Sequence, residues 1–338
     1  MPSRESVRIV ASLRRSYGWS IHLGVDEAPV ACLDDRTAGI PLIADGPSAI
    51  AYLGPRGTFT EQALQHLGDL SGRPLLACDS MVDALFAVND GAAELGVVPI
   101  ENAIEGTVNA TIDTLAFDVD LLIQRELLEP VSLNLLVKPG GSVGDIERIV
   151  SIPIAAAQCR TWLREHLADV PHDVANSTAE AAAAVARSGD PTVAAIANLR
   201  AAEVYGLEIA ATEIEDHPDN HTRFVVVGRD TIPAPTGHDK TSIVVYQRAD
   251  RPGSLLAILQ EFAARSINLT LLLSRPTKTA LGDYYFVLDL EGHIAEEVVA
   301  DCLRTLKATQ ADVKFLGSYP AAGADGPTRP RQDRRESG

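Results

Sequence analysis

The sequence predicts an α/β protein with two lobes and a cleft between them, followed by a smaller α/β domain. Strand and helix patterns alternate from residue 49 to residue 228, which is typical of layered α/β folds. They form two groups, 49–129 and 130–210, and an apolar strand at 224–227 then returns the chain to the first group. Beyond a stretch rich in proline and glycine, the patterns follow the order β-α-β-β-α-β over about 80 residues, the ferredoxin-like arrangement. The predicted segments are an N-terminal extension (1–48), a two-lobed domain (49–230), a linker (231–239), a small domain (240–319) and a disordered tail (320–338).

Composition and charge exclude several classes of function. Of the 338 residues, 46% are hydrophobic and 22% are charged, which is ordinary for a globular protein with a full core. The formal net charge of -17 disfavours a nucleic-acid binder, because phosphate would be repelled without a local basic patch, and the sequence has none. No apolar run approaches the roughly 18 residues that a membrane-spanning helix needs.

Cysteine and histidine spacing gives no sign of a metal or redox site. The four cysteines are scattered, at Cys32, Cys78, Cys159 and Cys302, and they indicate a reduced, cytoplasmic setting. His217 and His221 stand four residues apart, but Pro218 lies between them and no third ligand is evident. Arginines near the N-terminus resemble those of a transit peptide, but the acidic residues that follow favour a protein without organelle targeting.

The first lobe has polar turns where apolar strands end. The first strand leads into a Gly-Pro-Arg-Gly turn and then Thr58, which with Glu61 forms a capping box that starts a helix. A second buried strand, 95–100, runs directly into Glu101 and Asn102. Open α/β sheets bind ligands at such strand ends, and helix amino ends attract anions. Glu101 has a second interpretation, a structural carboxylate near a helix start.

The second lobe repeats this pattern. Ser151 precedes a helix predicted from about residue 154 to residue 167, and Gln158 should project near the same helix end. Ser177 and Thr178 begin an alanine-rich helix with a second capping box. The helix amino ends of both lobes could therefore face one cleft.

A polar loop at 216–221 runs into the strand that returns the chain to the first lobe. Thr222 and Arg223 stand at this junction, where a rigid element fixes side chains beside a loop that leaves room for a ligand. On this stretch alone there is an alternative: Thr222 satisfies a loop backbone group, and Arg223 pairs with a nearby carboxylate.

Taken in order, these motifs resemble one family, prephenate dehydratase with a C-terminal ACT domain, over roughly residues 50–318. The catalytic motifs are Tyr-Leu-Gly-Pro-Arg-Gly-Thr-Phe (52–59), Pro-Ile-Glu-Asn (99–102) with Gly106, Ser151 with Gln158, Ser-Thr-Ala-Glu (177–180) and Thr-Arg-Phe (222–224). The ACT motifs are Arg-Pro-Gly-Ser-Leu (251–255) and Ser-Arg-Pro (274–276). The resemblance implies a two-lobed, periplasmic-binding-protein-like catalytic domain joined to a ferredoxin-like ACT domain.

The resemblance also implies a reaction. Prephenate loses its ring carboxylate as CO2 and its ring hydroxyl as water, giving phenylpyruvate in L-phenylalanine biosynthesis. Aromatisation drives this reaction, so we expect no cofactor and no metal. Thr222 would protonate the leaving hydroxyl within a preorganised network, because a threonine hydroxyl is a weak acid. The residues expected to bind substrate are Thr58, Glu101, Asn102, Ser151, Gln158, Ser177, Thr178, Arg223 and Phe224, with Arg223 assigned to the substrate carboxylates.

For the ACT domain, the resemblance implies an L-phenylalanine effector at an interface between ACT domains, in a homodimer or homotetramer. The expected effector residues are Gly253, Ser254, Leu255, Asn268 and Leu269. Ser254 replaces the family's usual alanine, and Leu273 replaces a glutamate, so we expect weak or altered inhibition by phenylalanine with catalysis retained. In the catalytic lobes, Ala103, Ile152 and Ile154 replace polar residues of the family, which we interpret as tuning changes.

Three other functions stay open at this point. Arogenate dehydratase differs only in the side chain of its substrate. A relative that decarboxylates prephenate without aromatising it is disfavoured by Thr-Arg-Phe at 222–224, because such an enzyme must avoid assisting hydroxide loss. A catalytically silent amino-acid sensor would also combine a two-lobed cleft with an ACT domain, although the polar residues of both lobes are present.

Overall fold

A computed structural model of the chain describes residues 49–247, 252–277, 284–309 and 311–322. The predicted N-terminal extension (1–48), Arg251 of the first ACT motif and the predicted tail from residue 323 lie outside the described residues. Within them, every helix is too short or too polar to span a lipid bilayer.

The first lobe begins the two-lobed domain and contains alternating strands and helices. Its elements are β1 (Ile50–Leu53), α1 (Phe59–Gln65), β2 (Leu75–Cys78), α2 (Met81–Asn89), β3 (Leu95–Asn102), β4 (Gly106–Thr107), α3 (Asn109–Phe117) and β5 (Leu122–Pro130). The capping box that the sequence predicts starts α1: Thr58 Oγ1 accepts from Glu61 N at 3.3 Å, and Glu61 Oε2 accepts from Gly57 N at 2.6 Å.

The second lobe is formed by the residues that follow β5, before the chain returns to the first lobe. Its elements are β6 (Asn134–Val137), β7 (Arg148–Ser151), α4 (Pro153–Gln158), α5 (Arg160–His166), β8 (His172–Val174), α6 (Thr178–Arg187), β9 (Val193–Ala197), α7 (Leu199–Tyr205) and β10 (Glu208–Ala211). The single helix predicted from 154 to 167 is instead two short helices, because the backbone leaves the helical region at Cys159 (φ −109°, ψ 15°). The strands of this lobe form one sheet in the order β10-β6-β9-β7-β8.

The chain then returns to the first lobe as β11 (His221–Gly228), as the sequence predicts. This strand is inserted antiparallel between β3 and β5, so the sheet of the first lobe has the order β2-β1-β3-β11-β5. Apolar side chains on its two faces enter different cores: Phe224 and Val226 pack with α1, whereas Val225 and Val227 pack on the opposite side. The strand carrying Thr222 is therefore held in the middle of a sheet.

The C-terminal domain has the predicted β-α-β-β-α-β order. Its elements are β12 (Asp239–Gln247), α8 (Ser254–Ala263), β13 (Leu269–Pro276), β14 (Tyr284–Glu291), α9 (Glu297–Thr309) and β15 (Ala311–Pro320). The antiparallel sheet has the order β13-β14-β12-β15. One face is covered by α8 and α9, while the other packs directly on β5 and β11 of the first lobe, where Tyr285 and Leu316 meet Ile123 and Val225.

His293 belongs to this domain, contacts the linker segment and is fully buried. Its Nδ1 accepts from Ala295 N at 3.0 Å, so Nε2 carries the proton toward Pro233 O at 3.1 Å and the ring is neutral. Burial lowers the pKa of His293, although the carboxylates of Asp239 and Glu296 act in the opposite direction.

Candidate active site

Thr222 and Asn102 form a side-chain pair across two neighbouring strands. They are opposite each other in the register of β11 and β3, and Asn102 Nδ2 lies 2.9 Å from Thr222 Oγ1. Both side chains are half-buried. Among the residues that the structure describes, Asn102 is the side-chain partner of this hydroxyl, so the Oγ1 proton remains available to a ligand.

The orientation of the Asn102 amide is determined by the loop that follows it. Asn102 Oδ1 accepts from Ile104 N and from Glu105 N, each at 2.9 Å. Since the oxygen must face these two donors, the NH2 group must face Thr222. Thr222 Oγ1 is therefore a hydrogen-bond acceptor toward Asn102 and a donor in another direction.

Gln158 of the second lobe reaches the same loop. Its Nε2 donates to Glu105 Oε1 at 3.1 Å, and its Oε1 accepts from Asn220 Nδ2 at 3.4 Å. A continuous chain of contacts therefore runs from Gln158 through Glu105 and the Asn102 loop to Thr222. It joins the two lobes at the point where the candidate proton donor lies.

The remaining predicted residues of the second lobe gather at one edge of its sheet. β7 and β8 are parallel neighbours, and Ala175 N donates to Ser151 O at 3.0 Å, which brings the end of β7 beside the turn that leads into α6. Ser177 caps α6 by accepting from Glu180 N at 3.0 Å, and Thr178 begins the helix. Ser151 and Thr178 are mostly buried, and the amino end of α6 carries the partial positive charge that favours an anion.

Arg223 does not point the same way as Thr222, because successive side chains of a strand alternate between the two faces of a sheet. Its guanidinium, only 9% exposed, donates from Nε to Glu126 at 2.7 Å and from Nη2 to Asp289 at 2.6 Å. Glu101 lies opposite Arg223 in the register and contacts Nη1 at 3.5 Å. The sequence assigned both residues to substrate; in the structure Arg223 is directed toward the C-terminal domain, and the partly exposed Glu101 pairs with it, which matches the alternative of an arginine paired with carboxylates.

Phe224 is likewise a core residue in this structure. Its side chain is 2% exposed and packs with Tyr52, Leu64 and Val226 beneath α1. Burial to this extent leaves no surface for a ligand, so the contribution of Phe224 is to packing below Thr222 and not to contact with substrate.

The two lobes also touch behind the loop that carries Thr58. Glu61 of α1, whose side chain is 3% exposed, accepts from Arg200 Nη2 of α7 at 2.8 Å. Tyr205 OH donates to Arg56 O at 2.8 Å. Thr58 itself is mostly buried, and its hydroxyl donates to Leu53 O at 2.9 Å. These contacts hold the start of α1 against the second lobe.

The C-terminal domain carries a groove of about 530 Å³ between α8 and the sheet. Its lining includes three of the predicted effector residues, Gly253, Ser254 and Leu255, together with Ser274 and Tyr284. The other two predicted effector residues lie elsewhere: Asn268 is exposed and donates to Glu291 at 3.0 Å, and Leu269 packs against the core of the domain.

Leu273 does not line this groove. It packs into the apolar layer between the C-terminal sheet and the first lobe. Its neighbour Ser274 lines the groove, and Arg275 turns back to donate to Asp113 of α3 at 2.8 Å. The glutamate that the family resemblance expects at position 273 would therefore lie on the side of β13 that faces the catalytic lobe.

Sequence reasoning missed two residues of the site. Glu105 receives Gln158 across the lobes, and Asn220 lies two residues before Thr222 with its side chain against Gln158. Asn220 is 3% exposed, and its Oδ1 is buried with no hydrogen-bond partner among the described residues. The spacing of two from Thr222 along an extended segment was the available signal for Asn220, because such residues share a face.

Comparison with known protein families matches both parts of the chain. The family model described as prephenate dehydratase matches residues 50–232. The model described as ACT domain matches residues 241–308. Together these two matches include the site and the groove described above.

Individual relatives are similar over most of the chain. The prephenate dehydratase of Mycolicibacterium vanbaalenii is 42% identical over 302 residues, which are 85% of this chain and 96% of the relative. The crystal structure of prephenate dehydratase from Arthrobacter aurescens in complex with L-Phe is 40% identical, with a TM-score of 0.77, over 83% of this chain and 92% of that one. The structure of GqqA, described as a novel type of quorum quenching acylase, is 32% identical, with a TM-score of 0.73, over 81% and 98%.

Proposed function

The chain belongs to the prephenate dehydratase family, and on that premise we propose how its residues carry out the reaction. It is a lyase that converts prephenate to phenylpyruvate in L-phenylalanine biosynthesis. The bond between the ring and its carboxylate breaks, the electron pair enters the ring, and CO2 leaves. The ring hydroxyl departs as water once it has gained a proton. The chemistry therefore demands one proton donor directed at the leaving oxygen.

Thr222 is the proposed donor, and the orientation of the Asn102 amide is the observation that carries this proposal. Asn102 Nδ2 donates to Thr222 Oγ1 at 2.9 Å, which aims the hydroxyl proton away from Asn102 and stabilises negative charge that develops on Oγ1. A threonine hydroxyl is too weak an acid to act without such support. The proton that it transfers is replaced from solvent.

The residues proposed to orient the substrate are those that meet around Thr222 and at the facing edge of the second lobe. They are Asn102, Ser151, Gln158, Ser177 and Thr178, whereas Thr58 is proposed to hold the start of α1, since its hydroxyl bonds Leu53 O and Glu61 N. We add Asn220 as a residue that holds Gln158 in place, since its buried side chain donates to Gln158 Oε1 at 3.4 Å. Arg223 and Phe224 act on the reaction through the position of β11, since their side chains face the C-terminal domain and the core, and Glu101 of β3 acts by pairing with Arg223. The amino end of α6 is suited to a substrate carboxylate.

The test is to mix the purified protein with prephenate near neutral pH and to follow phenylpyruvate. Thr222→Val, which keeps the shape and removes the hydroxyl, should lower kcat by about 100-fold or more, whereas Thr222→Ser should retain a large part of it. Absence of product from the unmodified protein, or product formation by Thr222→Val at the original rate, would contradict the mechanism. Parallel assays with arogenate measure the preference between the two substrates.

For regulation, we propose that L-phenylalanine binds in the groove lined by Gly253, Ser254 and Leu255. The L-Phe complex of the Arthrobacter aurescens relative supports an amino-acid effector, and Leu273 lies outside the groove, so of the two departures only Ser254 can contact the effector. Ser254→Tyr would fill the groove and should abolish L-phenylalanine binding in calorimetry. The control is Ala264→Tyr, at an exposed position beyond α8.

The oligomer and the cellular location stay predictions. A homodimer or homotetramer is expected because paired ACT domains would cover the exposed groove residues Leu256 and Tyr284. Light scattering decides between these states, and a monomer would contradict the expectation. The cytoplasmic location expected from the scattered cysteines can be tested by fractionating cells that make the protein.

A further inference from the structure

A buried cluster of charged and hydroxyl side chains joins the catalytic lobe to the ACT domain directly behind Thr222. We call it the Arg223 cluster; its members are Arg223, Glu126, Lys240, Ser242, Asp289 and Tyr319. Arg223 and Glu126 belong to the catalytic sheet, and the other four belong to β12, β14 and β15 of the ACT sheet.

The contacts of the cluster are short and saturate its polar groups. Asp289 Oδ2 accepts from Arg223 Nη2 at 2.6 Å, and Asp289 Oδ1 accepts from Ser242 Oγ at 2.6 Å. Tyr319 OH lies 3.1 Å from Arg223 Nη2 and 2.6 Å from Ser242 Oγ. Glu126 receives Arg223 Nε at 2.7 Å and the ammonium group of Lys240 at 2.8 Å. Asp289 thus bonds one cation and Glu126 bonds two, and the guanidinium is held in one orientation.

Because the cluster is buried, the loss of any one member would leave its partners desolvated without a hydrogen bond, which costs folding free energy. The side chains of Glu126 and Asp289 are 1% and 3% exposed, and Tyr319 is fully buried. Burial by itself would lower the pKa of Arg223, but Asp289, Tyr319 and Glu126 raise it overall, so the guanidinium stays charged. Burial, reinforced by Asp289, raises the pKa of Tyr319, which stays a neutral hydroxyl. A buried ionic group adds little net stability compared with apolar packing, so its use here is to fix geometry.

The geometry that it fixes is that of the strand carrying Thr222. The register of β11 against β3 shifts between Arg223 and Phe224, where the extra residue, Ile100, belongs to β3 and lies two residues before Asn102. A bulge bends its own strand and changes the direction of nearby side chains, so the ladder beside Thr222 is irregular on the β3 side, although it is regular on the β5 side from His221 to Val226. The guanidinium of Arg223, held by Asp289 and Tyr319 of the ACT domain, adds a side-chain constraint on β11 next to Thr222.

We propose that Asp289 and Tyr319 of the ACT domain are positioning residues for the dehydratase reaction, because by holding Arg223 they fix the direction of the Thr222 hydroxyl. This proposal rests on Thr222 being the proton donor. It makes the ACT domain a structural part of the active site, even before any effector binds.

The test compares Asp289→Asn with the unmodified full-length protein. The amide keeps the size of the side chain and removes the charge that clamps Arg223. We expect kcat to fall about 10-fold to 100-fold with KM changed by less than about threefold, because misplacement of a catalytic group by a fraction of an ångström affects the chemical step more than binding. The matched control is Asp301→Asn, which removes another ACT carboxylate from its arginine partner, Arg265, away from the catalytic lobe. Its kcat should be unchanged.

A second variant keeps the test decisive if Asp289→Asn does not fold. Tyr319→Phe retains the buried ring and removes only the hydroxyl, and its kcat should fall about threefold to tenfold at unchanged KM. Folded variants of both kinds with kcat within twofold of the unmodified protein would overturn the proposal. A loss of kcat no larger than the fraction of unfolded protein measured by circular dichroism would also overturn it. The proposed function is tested separately from this proposal. It fails if the unmodified protein forms no phenylpyruvate or if Thr222→Val stays active.

Discussion

Asn102→Asp gives a sharp test of how the candidate proton donor is oriented. The substitution exchanges an NH2 group for an oxygen and changes little else. The carboxylate can still accept from Ile104 N and Glu105 N, which lie 2.9 Å from Oδ1, so the loop should keep its shape. The other oxygen then faces Thr222 Oγ1 across the 2.9 Å that Nδ2 now spans. Since a carboxylate only accepts, the Thr222 proton would turn toward it and away from the substrate.

The expected fall in kcat follows from the hydrogen-bond donor that Asn102→Asp removes. Removing one preorganised donor to a developing negative charge costs about 10²-fold to 10³-fold in kcat, or about 2.7 to 4 kcal/mol. The free energy of unfolding should change by less than about 1 kcal/mol, because the two loop hydrogen bonds are retained. The added negative charge also lies beside a dianionic substrate, so KM should rise. Asn102→Asp is therefore expected to impair catalysis much more than folding.

The assay is steady-state formation of phenylpyruvate over a range of pH, with urea unfolding measured in parallel. Protonation of the introduced carboxylate would restore an O–H donor toward Thr222, so the variant should regain activity as the pH falls, relative to the unmodified protein. Asn89→Asp, the same chemical change on α2 at another amide that caps a backbone N–H, is the control and should leave kcat unaltered. A variant that keeps kcat within threefold, or that gains nothing at lower pH, would refute the proposed orientation.

Three further predictions concern stability and the contacts between domains. Arg200→Met leaves the buried Glu61 carboxylate without its cation and should lower the free energy of unfolding in urea by about 3 to 5 kcal/mol. Adding Glu61→Gln should recover most of that loss, and a double variant no more stable than Arg200→Met would contradict the pairing. Because the pKa of His293 is depressed in the folded state, the unfolded chain binds more protons below the ordinary value of 6.5, so stability is retained above that pH and lost as pH falls. The unmodified protein should therefore lose stability relative to His293→Gln by at most about 1.4 kcal/mol per pH unit on acidification, and parallel curves would refute this. Gly317→Ala should cost about 2 kcal/mol or more in thermal unfolding, because at φ +140° the new Cβ would lie 2.3 Å from a backbone oxygen of β5. The control, Gly237→Ala, has a similarly positive φ in open space, and equal losses in the two variants would argue against close docking of the ACT sheet.

The strand β5 illustrates where sequence patterns were insufficient. Its sequence, Leu-Ile-Gln-Arg-Glu-Leu-Leu-Glu-Pro, has charges at positions that a buried strand would fill with apolar residues, and no strand was predicted there. In the structure, Glu126 is paired with Arg223 and Lys240, and the 1% exposed side chain of Glu129 is bonded to Gln62 and His66. The partners that make burial of these carboxylates possible lie far along the chain, so no local pattern could reveal them.

By itself, the sequence was enough to predict the α/β class, the return strand, the capping boxes at Thr58 and Ser177, and the positions of Thr222 and Asn102 at strand ends. These features follow from hydrophobic period and local hydrogen bonding, which neighbouring residues encode. Only the tertiary structure decided what Arg223 contacts. Alternation along the strand places it on the face opposite Thr222, but the carboxylates that bind it come from β5 and from the ACT sheet, and their convergence is a property of the folded chain.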